Sequence, residues 1–258
     1  MTKNAFIGLV VYEGPSSIDG KPIVVILNKI DDSSDNGKTG SMVQSFIIRS
    51  DIPPIEALAS GADESICGNC PHRPHEIKLA IAAGLKPAAP CYVTVWQSVR
   101  SVYDAYKRGR YERVTPNEAA KRIAGKKLRI GTYGDGAAAP VEIWQTLVTQ
   151  VSGHTGYSHQ WERTDFDHAS WAPLVMASAD DIDQAAKANL YGMRTFRVSQ
   201  GIDKQVGEVS CPASAEAGKK TTCENCMLCS GTKVKAKDIV IADHAKGHKT
   251  RTFMMSMA

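Results

Sequence analysis

Apolar positions in the first fifty residues fall into three short runs, 5–12, 23–27 and 42–48, divided by Gly14-Pro15, Asp19-Gly20 and the loop 31–40. Runs of this length between turn residues predict strands, the first two an antiparallel pair that leads into the third. From Cys91 onward β-like runs alternate with helical ones. Residues 92–96 read as a strand, and Val99, Val102, Tyr103 and Tyr106 follow at helical spacing up to Gly109. Thr115, Pro116 and Glu118 form a capping-box signature, so a helix starts there and stops at Gly125. Residues 128–130 are a short strand. A glycine-rich loop runs from there to Pro140, where a helix places Trp144, Leu147, Val148 and Val151 on one face. Strands are further expected at 174–176, 195–198 and 239–242, with a helix capped by Asp180 or Asp181 and closed by Gly192.

Strands separated by helices favour a mostly parallel sheet with right-handed crossovers. The expected fold is therefore α/β, a partial or complete TIM-like (β/α) barrel over residues 1–258, with an antiparallel β segment at 1–50 and a cysteine-rich loop at 205–232. Functional groups in such sheets gather after the carboxyl ends of strands. Residues 131–135, Ser178, Ser199, Asp243 and His244 fall at such positions.

Composition narrows the picture. At 258 residues and 43% hydrophobic content the chain can bury a substantial core. It has no run of about 18 apolar residues, and its first residues lack the basic flank and cleavage site of a secretory signal, so a cytoplasmic location and no membrane are expected. The net charge of +4 is mild, with a basic stretch at 233–251 that permits nucleic-acid contact without indicating it.

Seven cysteines in a reducing compartment are metal or redox groups before they are disulfides, and an odd count argues against full internal pairing. They divide as four plus three. Cys211-Pro212 is followed after eleven residues by Cys223, Cys226 and Cys229 at successive x2 spacing. That run resembles the ferredoxin pattern around a [4Fe–4S] cubane, with the remote Cys-Pro as its fourth ligand; the alternative is a four-cysteine zinc site. Cys67-x2-Cys70, with Cys91 twenty residues on, offers three thiolates. Three ligands on a four-iron cluster leave one iron open to a substrate or to S-adenosylmethionine. Zinc completed by His72 or His75 is the alternative there. Pro71 and Pro74 stiffen the turn carrying these histidines.

Taken with the loop 131–140, the Thr155–Trp161 stretch, Arg194, Arg197 and the residues after Cys211, the two cysteine sets resemble an uncharacterised group of phage-encoded proteins. The chain is also distantly similar to radical S-adenosylmethionine enzymes. That resemblance implies a partial α/β barrel, a three-cysteine cluster and a glycine-rich loop near the cofactor, here Gly131, Gly134, Asp135 and Gly136. The trio spacing differs from the C-x3-C-x2-C run usual in those enzymes.

Other candidates carry less. The glycine loop could bring backbone amides to an anion, but it is neither a Walker loop nor a dinucleotide fingerprint. His154, His159 and His168 with Asp165 and Asp167 would make a proton-transfer or metal site if they converged; core or surface histidines are the commoner outcome. Arg194 and Arg197 could clamp a carboxylate or phosphate, or form ion pairs. No nucleophile elbow is present. The sequence thus points first to an iron-sulfur redox protein that takes electrons from a donor or acts on a small molecule. A zinc protein contacting nucleic acid in phage replication and a non-catalytic electron carrier are the competing readings.

Overall fold

In the computed structural model, which describes residues 6–31, 37–88, 90–199, 203–218 and 220–242, one ten-stranded sheet organises the chain. It begins as the expected antiparallel meander, β1 (Gly8–Pro15), β2 (Pro22–Asn28) and β3 (Val43–Arg49). Asp19 accepts from the Lys21 amide and Gly20 adopts φ +75° in the first turn. Every residue of β3 is buried, as expected of a near-continuous apolar run covered on both faces.

The connection from β3 to the next long strand is the longest in the fold. It contains α1 (Pro54–Ser60), α2 (Glu64–Cys67), α3 (Pro74–Ala82), a π-helical turn (Val95–Val99) running into α4 (Arg100–Lys107), the two-residue β4 (Glu112–Arg113) and α5 (Pro116–Arg122). The Thr115–Glu118 capping box starts α5 as the sequence indicates. The strand expected at 92–96 is not formed. Val95, Val99, Val102, Tyr103 and Tyr106 are all buried, and this helical periodicity outweighs the β propensity of the residues before it.

Five parallel strands follow: β5 (Lys127–Tyr133), β6 (Gly153–Ser158), β7 (Met176–Ala179), β8 (Thr195–Ser199) and β10 (Asp238–Ala242). Between them lie α6 (Val141–Val148), α7 (His168–Trp171), α8 (Ile182–Leu190), the edge strand β9 (Glu208–Ser210) and the single turn α9 (Cys223–Cys226). The sheet order is β4-β1-β2-β3-β5-β6-β7-β8-β10-β9. It stays open, which corrects the expectation of a complete barrel. Its edges are strands of two and three residues, too short to present the ladder that closure requires.

Strand alternation assigns the two faces of the parallel half. Leu128, Ile130 and Ala177 belong to the main core with Trp144, Leu147 and Trp171 from the crossover helices. Met176, Ile239 and Ile241 face the other way and pack with Cys211 and Cys229 in a smaller core. No helix of the described residues is long and apolar enough to cross a membrane.

Candidate metal centres

The four C-terminal cysteines meet on the sheet face opposite the crossover helices. Cys223 and Cys226 begin and end α9, and Met227 reverses the chain with φ +53°. Backbone bonds then seat the loop on the sheet: the Gly156 amide donates to Cys229 O at 3.2 Å, the Cys211 amide to Val240 O at 2.8 Å and the Cys223 amide to Lys38 O at 2.8 Å. Ser230 Oγ donates to the carbonyls of His154 and Met227. Arg194, a candidate anion clamp, is spent on this loop, donating to Leu228 O at 2.8 Å and Gly231 O at 2.9 Å. Arg197 pairs with buried Glu208 at 2.7 Å and so braces β9.

All four cysteines line one small cavity of about 20 Å³, together with Thr155, Tyr157 and Ile239. Burial, with repulsion from Cys211, Cys223 and Cys226, pushes the Cys229 thiol up to about 12 although the Tyr157 hydroxyl bonds to it. Burial raises Cys211 as well. The buried Cys211 and Cys229 thiols resist ionising side by side unless a cation takes up the charge.

The other three cysteines lie at the carboxyl ends of the parallel strands. Cys67 closes α2, and Gly68 (φ +55°) follows where a Cβ would meet Gln160 Oε1 at 2.1 Å. Gln160 Nε2 donates to Cys67 O at 2.8 Å. The Cys70 amide donates to Cys67 O at 3.2 Å, and the Cys91 amide to His72 O at 3.0 Å, which brings the distant third cysteine beside the pair. Arg73 is the clasp of this loop. It is 3% exposed, pairs with Asp63 (1% exposed) through two bonds of 3.1 and 2.9 Å, and donates to the carbonyls of Gly61 and Gly68 at 2.7 Å each.

The glycine-rich loop serves the same site as a tie. The strand β5 extends to Tyr133, so the loop proper begins at Gly134, where φ is +78° and a Cβ would meet Ile47 O at 2.7 Å. Gly131 donates its amide to Ser45 Oγ at 2.8 Å, and Gly136 lies against Ile130. The Asp135 amide donates to Ile66 O at 2.6 Å, and its buried carboxylate accepts from the amides of Ala137 (3.0 Å) and His159 (2.8 Å). The hydroxyl of buried Tyr133 has no hydrogen-bond partner among the described residues.

Directly after β6 and β7 stand His159 and Asp180. His72 Nε2 lies 3.0 Å from Asp180 Oδ1 and His159 Nε2 3.7 Å from Oδ2, with the two rings edge to face at 5.2 Å. Among the described residues this trio alone brings three ligand atoms within 4.8 Å of one another; neither cysteine set is drawn so tight. Burial would raise the Cys70 thiol, but the charge and hydrogen bond of His159, with His72, hold it below its ordinary value. Burial, then Asp63 and the other two thiols, pushes Cys67 well up. Burial opposes the charge on His159 and His72, yet Cys70 and Asp180 raise both imidazoles. The two imidazoles beside it, His159 and His72, hold Asp180 far below the usual carboxylate range against its burial.

Between the two sets sits buried Arg129 on β5. Its guanidinium donates to Tyr92 Oη at 2.9 Å, next to Cys91, and lies 5.5 Å from the ring centre of Tyr157, which touches Cys229.

The remaining candidates disperse. His75 packs at Gly61, away from the thiols. His154 is buried within β6 itself and bonds to Pro173 O, His168 stacks on Tyr191, Asp165 pairs with Arg163, and Asp167 caps α7. Ser178 offers its carbonyl to Trp161 Nε1. Asp243, His244 and the basic stretch beyond 242 lie outside the described residues. Asp180, Arg73, Asp63 and Arg129 carry no sequence signal, because only the tertiary fold turns them toward the cysteines.

The arrangement defines a class, an open α/β sheet that carries one cysteine set on a face and another at its strand ends. No family model matches the chain, and neither a curated protein nor a solved structure matches it.

Proposed function

We propose that the chain is an iron-sulfur protein that holds a [4Fe–4S] cluster on Cys211, Cys223, Cys226 and Cys229 and a second, three-cysteine cluster on Cys67, Cys70 and Cys91. The observation that carries this reading is the cavity lined by all four C-terminal cysteines. Around a single zinc ion with Zn–S bonds near 2.3 Å the sulfurs would stand roughly 3.8 Å apart. Thiols spread more widely than that suit a larger inorganic core. Bound there, clusters would supply single-electron chemistry.

In this reading the two ends of the sheet have different work. The C-terminal cysteines, enclosed by apolar side chains, hold a fully ligated electron carrier. The other trio leaves one iron free at the strand ends, where Cys70 is primed as a thiolate by His159. A substrate or S-adenosylmethionine would bind there, beside Gly131, Gly134, Asp135 and Gly136, if the distant similarity to radical S-adenosylmethionine enzymes of phage type extends to chemistry. The run β3-β5-β6-β7-β8-β10 then corresponds to an arc of a (β/α) barrel. An electron donor and a reducing, cytoplasmic setting belong to the same proposal.

Purification without oxygen, followed by counts of iron and acid-labile sulfide, tests it. Brown protein containing two clusters is expected, and S-adenosylmethionine or a small thiol should alter the spectrum of the reduced Cys67 centre. Colourless protein containing zinc would overturn the reading in favour of a zinc-stabilised protein with a basic C-terminal stretch. Iron present but unresponsive to every added ligand would leave an electron carrier without a substrate.

A further inference from the structure

His72, His159 and Asp180 are left over once the cysteines are assigned. They come from three separate parts of the chain, the turn after Cys70 and the ends of β6 and β7, and meet where open parallel sheets gather their functional groups. We infer that these three side chains form a mononuclear site for a divalent first-row transition ion, adjoining Cys70 of the strand-end set but drawing on none of the seven thiols.

Spacing is the first support. The three ligand atoms lie within 4.8 Å of one another, and the carboxylate oxygens are 3.0 and 3.7 Å from the two imidazole nitrogens. Donors at 2.0–2.1 Å from a tetrahedral ion stand ~3.3 Å apart, so the side chains need only small shifts to share one. A second observation is that buried His159 Nε2, with Asp180 Oδ2 standing 3.7 Å away, makes no hydrogen bond among the described residues. Leaving such an atom unsatisfied is costly. A bond to a metal satisfies it.

The surroundings also hold the ligands in place. The Asp180 amide donates to Gln184 Oε1 at 2.8 Å, and the His159 amide donates to Asp135 Oδ2 at 2.8 Å, so both are pinned at their backbones. The edge-to-face rings, 72° apart in plane, approach the carboxylate from different sides instead of stacking. Two imidazoles and one carboxylate form a nitrogen and oxygen set that suits Zn²⁺ or Fe²⁺ and leaves coordination positions for water or a small oxygen ligand.

The test uses the full chain, purified without oxygen and titrated with Zn²⁺ by calorimetry, with metal counted after desalting and the zinc X-ray absorption edge recorded. One equivalent with a nitrogen and oxygen shell is expected, bound roughly 100-fold more weakly or not at all by His159→Ala and by the near-isosteric Asp180→Asn. His168→Ala removes a histidine outside the trio and should bind as the wild type does. Wild-type affinity in both His159→Ala and Asp180→Asn would overturn the site. So would a sulfur shell that Cys70→Ser abolishes, since the ion would then belong to the cysteines. Iron and sulfide report on the cysteine sets and nitrogen-bound zinc on this trio, so either proposal can fail alone.

Discussion

The two cysteine sets share one sheet but are held in opposite ways. The C-terminal set is seated by backbone hydrogen bonds and enclosed by Met176, Ile239 and Ile241, and the charges beside it, Arg129 and Arg194, are cationic. The set at the strand ends is wrapped in charge: Asp63 and Arg73 beneath it, Asp135 behind it, and His72, His159 and Asp180 beside it. An apolar enclosure suits a group that exchanges only electrons. A polar one can hold and release ligands and protons. With metal bound as proposed, the comparison also predicts which set would depend on it to stay folded.

The sharpest way to break it is to remove one ligand from each. Cys226→Ala should empty the C-terminal centre and cost several kcal/mol, because residues 212–231 contain little apolar material to hold them without metal. Cys70→Ala should empty the other centre at far smaller cost, since Arg73 and its carbonyl bonds keep the loop closed. Metal counts and denaturant unfolding of both variants check the ranking, and equal losses would undo it. Next in size is Arg73→Ala, which strands the Asp63 carboxylate in the interior; about 3–5 kcal/mol of stability should go, measurable by urea unfolding.

Acid provides the smallest and most selective probe. Burial, with the charge of Lys233, lowers the His154 pKa from 6.5 to about 4. Between those values the unfolded chain takes up a proton that the native chain refuses, so stability falls as pH drops through that window, by on the order of 2–3 kcal/mol. The His154 carbonyl accepts from Ser230, so this loss falls on the platform of the C-terminal set. In metal-free protein His72 and His159 act with the opposite sign: their folded pKa values are raised, and their contribution is lost as pH rises. His154→Gln should flatten the acid limb of a thermal unfolding series and leave the alkaline limb unchanged.

What the sequence made legible follows from distance along the chain. The x2 spacings of Cys223, Cys226 and Cys229 put three thiols within seven residues, so their grouping is a local property. The capping box at Thr115 and the strands near Leu128, Thr195 and Ile239 are local in the same sense. Strand β6 was hidden because its residues Gly153, His154, Thr155, Gly156, Tyr157 and Ser158 show no apolar alternation; small and polar side chains fit there between a helix layer and the cysteine loop. With β6 unseen, nothing placed His159 beside Cys70. Asp180 was masked by its neighbour, since either aspartate could cap α8, and Asp181 is the one that does. Helices α1 to α3 carry too short a periodic stretch to stand out before the fold packs them.

Sheet order has a consequence for biosynthesis. Strands β5, β6, β7 and β8 are laid down side by side in the sequence in which they are made. Every residue of the strand-end site, from Cys67 to Asp180, leaves the ribosome before Cys211, the first ligand of the other set. Domains form N-terminal parts first during synthesis. With metal bound as proposed, chain order offers the two sites for loading one after the other, and the C-terminal loop meets a β6 already flanked by β5 and β7.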